Sequence, residues 1–122
     1  MRVAVLADDL IWSTRLLDGL RAAGAEPVAA RSLDAFRGLL GDPTVERAVV
    51  DLTARAYDGV VALELARDAG RPSLAVAQHD DLELHRRARE AGAARVYAYR
   101  KLFEDGPRSL GAWLAGAAST PR

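Results

Sequence analysis

Five times along this chain a short apolar run is followed by a longer stretch of helical spacing, and that alternation constrains the fold more than any other feature. Arg2 to Ala7 has neither Gly nor Pro and reads as a buried strand. Trp12, Leu16, Leu20 and Ala23 then recur at helical spacing, with Gly24 as the stop. Pro27 to Ala30 reads as a second, weaker strand. Ser32 reads as the N-cap of a helix that carries Leu33, Phe36, Leu39 and Leu40 and stops at Gly41. Arg47 to Leu52 is a third strand, and Val61, Leu65 and Ala69 mark a helix ending at Gly70. Ser73 to Ala77 is a fourth strand, followed by a helix opened by Asp80 with Glu83 three residues on, as in a capping box. Ala93 to Tyr99 is a fifth strand, and Pro107 suits the first turn of a last helix bearing Leu110, Trp113, Leu114 and Ala117.

Such a β-α alternation predicts an α/β fold with a parallel sheet, because parallel neighbours need right-handed crossovers and those put helices on both faces. The expected architecture is a doubly wound, flavodoxin-like sheet of five strands in the order 2-1-3-4-5. With 122 residues and half of them apolar, the chain suffices for one domain, read as residues 1–118, with 119–122 as a frayed tail. Its 17 basic and 17 acidic residues leave no net field to draw in nucleic acid or an anionic membrane. No apolar run approaches the ~20 residues of a membrane span. The absence of cysteine removes thiol chemistry and disulfides and fits a cytoplasmic setting.

In that strand order the first and third strands are neighbours, and the chain reverses direction between them, where this class of sheet binds its ligands. Asp8 and Asp9 follow the first strand and Asp51 ends the third, so all three carboxylates map to this place. Such a trio suits a divalent cation and an anionic group. Other features carry less. His79 and His85 lack a third ligand at metal spacing. Ser13 and Thr14 have no histidine base beside them, and capping accounts for Ser13. No Gly-rich phosphate loop is present. Arg86, Arg87 and Arg89 read as a solvated helix face, and Trp12 and Trp113 as half-buried helix residues.

The chain resembles the receiver domains of bacterial response regulators, the CheY-like family, over nearly its whole length. VLADDL is like that family's strand and acidic pair. DLTARAYDG keeps the aspartate-leucine start and the glycine eight residues later, and AREAGAARVYAY is similar to its fourth helix, turn and fifth strand. The resemblance implies a phosphorelay protein rather than an enzyme, with Asp51 as phosphoacceptor and Mg²⁺ held by Asp8, Asp9 and Asp51. It also implies a histidine kinase or other signalling protein as partner. A homodimer would form through the face of the fourth helix, fifth strand and last helix.

Three departures from the family pattern would make such a receiver atypical. Ala77 stands where the family has a threonine or serine, and Gln78 is the next polar residue. Tyr99 stands where it has a lysine, and Lys101, the chain's single lysine, reaches that place only through a two-residue extension of the strand. Arg55 replaces the usual proline after the acceptor. Tyr97 and Tyr99 are both candidates for the aromatic switch residue of the fifth strand. The alternative reading is a pseudo-receiver, an interaction module that no longer depends on phosphorylation; an unrelated small enzyme on the same sheet comes third.

Overall fold

In the computed structural model, which describes residues 1–118, five strands and five helices alternate as expected. They are β1 (Arg2–Leu6), α1 (Leu10–Ala22), β2 (Glu26–Ala30), α2 (Leu33–Leu40), β3 (Val45–Asp51), α3 (Gly59–Asp68), β4 (Ser73–Ala77), α4 (Leu82–Glu90), β5 (Arg95–Ala98) and α5 (Tyr99–Ala118). The tail read at 119–122 lies outside the described residues. The sheet is parallel throughout, in the order β2-β1-β3-β4-β5. No helix among the described residues is long and apolar enough to cross a membrane.

The period-2 alternation of the strands divides the core in two. Ala4, Leu6, Ala48, Val50, Ala75 and Ala77 face α2, α3 and α4, where Phe36, Leu40, Leu63 and Ala88 meet them. Val3, Val5, Val49, Leu74 and Val76 face α1 and α5, against Leu16, Leu20, Leu110 and Trp113. Because both faces are covered, the central strands are apolar on both sides, as their sequences are. Trp113 is fully buried rather than half-buried, and its indole N–H lacks a partner.

Helix starts follow the need of first-turn N–H groups for acceptors. Ser32 caps α2 by accepting from Ala35 N, as its position suggests. For α4 the cap is Asp81, one residue later than expected, accepting from Leu84 N at 3.2 Å. Glu83 pairs with Arg86 instead of closing a capping box. The hydroxyl of Ser13 caps nothing; it donates back to Leu10 O at 3.3 Å.

The other difference that matters is at β5. Its pairing with β4 ends at Ala77↔Ala98, so β5 has no neighbour beyond Ala98. Tyr99 accordingly begins a helical segment rather than ending a strand. That segment is interrupted at Asp105 (φ −153°, ψ 36°), and Pro107 lies in the first turn of the part that follows.

Candidate functional site

Leu6 pairs with Val50, so β1 and β3 end side by side and their loops leave the sheet together. Asp51, the last residue of β3, is fully buried. Its Oδ1 accepts two hydrogen bonds from Thr53, from the backbone N–H at 2.8 Å and from Oγ1 at 2.7 Å. The spacing is that of an Asx-type turn, in which an aspartate binds the backbone two residues on. Oδ2 is buried and has no partner.

Over this carboxylate lies Tyr99, only 4% exposed. Its phenol is near enough to act on the proton affinity of Asp51 but is out of hydrogen-bond geometry, so Oη and Oδ2 are both buried without a partner. The Tyr99 ring stacks on Trp12 with centroids 4.1 Å apart at 39°. Loss of hydration raises the Asp51 pKa above the usual carboxylate range. The bonds from Thr53 and the nearby phenol work against that rise, and the charge of Asp8 adds to it. Burial, together with the Asp51 charge, likewise pushes the Tyr99 hydroxyl well up.

Asp8 and Asp51 are brought close enough to interact, whereas Asp9 is used elsewhere. Asp8 is half-buried and accepts from Ala56 N at 3.3 Å. Asp9 is exposed and caps α1, its Oδ1 accepting from Ile11 N at 2.9 Å and Trp12 N at 3.0 Å. Of the expected trio of Asp8, Asp9 and Asp51, the two strand-end acids that interact are Asp8 and Asp51, while one oxygen of Asp9 is taken by the first-turn N–H groups of α1. Among the described residues no group of three or more acidic or histidine side chains is arranged to hold a metal ion. Mg²⁺ prefers one or two carboxylates with room for several waters. Here Asp51 is shut from solvent, one oxygen engaged by Thr53 and the other under Tyr99, and this arrangement does not fit that ion.

Lys101 is also placed elsewhere. It is exposed in the first turn of α5, its ammonium 5.6 Å from the centroid of the Tyr97 ring, because the chain turns helical at Tyr99 instead of extending β5 by two residues. The Tyr97 hydroxyl donates to Ser109 O at 3.3 Å. Ala77 is buried in the core on the α2–α4 side. Gln78 is exposed, and its carbonyl accepts from His85 Nε2 at 2.8 Å.

Two residues of the site were not singled out from the sequence. Thr53 was legible in principle through its Asp-x-Thr spacing. Tyr57 was not: its buried hydroxyl lies 3.0 Å from Leu6 O and 2.8 Å from Asp51 O, joining the ends of β1 and β3. Only the tertiary pairing of those strands creates that role.

No protein-family model matches the sequence, and no curated protein matches it. Solved structures do. A response regulator receiver domain from Rhodospirillum rubrum superposes with a TM-score of 0.77 at 20% identity, over 95% of this chain and 94% of that one. A two-component response regulator from Clostridium difficile gives 0.82 at 13% identity, over 98% and 99%. A response regulator receiver domain protein from Clostridium thermocellum gives 0.78 at 15% identity, over 96% of each. The chain therefore has the CheY-like receiver fold, as its sequence resemblance implies.

Proposed function

We propose that this chain is an atypical receiver domain of two-component signal transduction, one that works as a protein-interaction module with its acceptor position closed. The observation that carries this reading is the setting of Asp51. It ends β3 at the switch point of a receiver fold, yet it is fully buried, and the groups acting on it are Thr53, Tyr99 and Asp8, none of them cationic. Phosphoryl transfer relies on positive groups that stabilise charge on the transferred oxygens. With Ala77 in the core and Lys101 on Tyr97, neither a hydroxyl from the end of β4 nor an ammonium is supplied to that position. The partner under this reading is a histidine kinase or another signalling protein. The face of α4, β5 and α5 is the candidate for self-association.

One observation favours a second reading, in which Asp51 is a working phosphoacceptor. A carboxylate is an ordinary nucleophile for aspartyl-phosphate formation, and Asp51 stands beside Asp8 at the carboxyl edge of the sheet.

Acetyl phosphate with millimolar Mg²⁺, followed by intact mass measurement, separates the two. The closed module is expected to gain no phosphoryl adduct. An adduct that disappears in Asp51→Asn would overturn the closed reading in favour of the second.

A further inference from the structure

Asp51 is the one acidic side chain among the described residues that is fully buried, and the ring of Tyr99, itself 4% exposed, lies beside it. Tyr99 has three properties that together go beyond packing. Its contact with the carboxylate is unsatisfied: Oη and Oδ2 both lack hydrogen bonds although both are buried, where polar atoms are ordinarily paired. The backbone behind it is jointed, since the helical segment that Tyr99 begins is broken at Asp105, which is followed by Gly106. There is also space beside it. A hollow of ≈ 20 Å³, room for about one water, is lined by Tyr99 with Trp12, Leu102, Gly106 and Leu110. Leu102 and Gly106 also line a groove of ≈ 610 Å³ between α1 and α5.

We propose that Tyr99 and the helical turn it begins form a lid over Asp51, jointed at Asp105, whose aromatic ring controls access to the carboxylate. The proposal rests on the closed-module reading and deepens it by naming the group that does the closing. A fully bonded Tyr99–Asp51 pair would resist opening. Here the contact falls short of hydrogen-bond geometry, so displacing the ring gives up only the phenol's electrostatic influence on the carboxylate and lets water reach both polar atoms. The stacking on Trp12, a contact between rings that can slide, has to be overcome as well.

The test is carboxyl labelling of the intact chain with a water-soluble carbodiimide and a small amine, mapped by peptide mass spectrometry. In the unaltered protein Asp9, which is exposed, is expected to label while Asp51 stays protected. Tyr99→Ala is expected to raise labelling of Asp51 severalfold, and Tyr99→Phe, which keeps the ring, to leave it protected. Leu63→Ala, a truncation in the core on the far side of the sheet, is expected to leave Asp51 protected as well. Continued protection in Tyr99→Ala would overturn the lid, as would equal labelling in Tyr99→Ala and Leu63→Ala, which would indicate general loosening. Labelling of Tyr99→Phe at the level of the alanine variant would overturn the assignment of the ring as the cover. Should Tyr99→Ala not fold, Tyr99→Leu removes the aromatic cover with less loss of core volume and is read in the same way. Failure of the lid leaves the closed-module reading standing, since that reading falls only if the unaltered chain acquires a phosphoryl adduct.

Discussion

Thr53 gives both of its donors to one oxygen of Asp51 and leaves the other oxygen without a bond in a place that water does not reach. A buried acceptor left unsatisfied costs about 1–3 kcal/mol, and more when it is charged. Asn at this position keeps an oxygen for Thr53, loses the charge and offers Tyr99 an N–H. The pH dependence follows from the raised pKa of Asp51. The folded state holds this proton more tightly than the unfolded chain, so the favourable contribution is complete below the ordinary carboxyl range and is lost as pH rises through the folded pKa. Asp51→Asn is therefore expected to raise Tm by about 3–6 °C at pH 7 and to change it little at pH 3, where Asp51 is already protonated. Thermal unfolding followed by circular dichroism at the two pH values checks this; equal shifts at both would show that charge burial is not the cause. From sequence, an acid at the end of a strand reads as solvated. In the fold it is buried beside Tyr99, a residue 48 positions further along the chain that the pairing of β4 with β5 brings near.

Among the helices, Asp9, Ser32, Asp58 and Asp81 each accept from the first-turn N–H groups of the helix they precede. Ser32 was legible because nothing competed for it. The cap at Asp9 was not, since an aspartate after a strand suits a cap and a cation pocket equally well. Asp9→Ala is expected to cost about 1 kcal/mol, and Asp9→Ser much less, in urea unfolding. Equal costs for the two would argue against the cap as the role of Asp9. The glycine eight residues after Asp51 has a steric reason at this scale: a Cβ on Gly59 would stand 2.6 Å from Leu52 Cδ2 and 3.2 Å from Leu52 Cα. Gly92 turns the chain between α4 and β5 at φ +112°, a conformation that side chains other than glycine's rarely adopt. Both glycines are visible as motif positions, but the contacts that require Gly59 are not.

Across the molecule, the edge of the sheet opposite the site is tied together by Arg71. Its guanidinium donates to Val45 O at 2.6 Å, Leu40 O at 3.2 Å, Asp42 O at 3.3 Å and also to Ala69 O, linking the ends of α2 and α3 to the start of β3. Arg71→Ala is expected to cost about 2–4 kcal/mol by leaving several partly buried carbonyls without a donor. Arg71→Lys should recover little of this, because a single ammonium cannot reproduce the planar fork. Chemical denaturation of both variants measures the difference, and full recovery by lysine would show that charge rather than geometry matters there. The order of strands and helices, the two-faced burial of the sheet and the meeting of β1 with β3 were all written in the sequence, because apolar periodicity and the handedness of crossovers are local or nearly local rules. What each polar side chain does at the end of the sheet was decided by the tertiary structure alone. Whether Asp9 caps a helix, whether Lys101 or Tyr99 faces Asp51, and whether Asp51 meets water all turn on differences of one or two residues in where a strand stops. Pairing with a distant neighbour sets that point, and no local pattern records it.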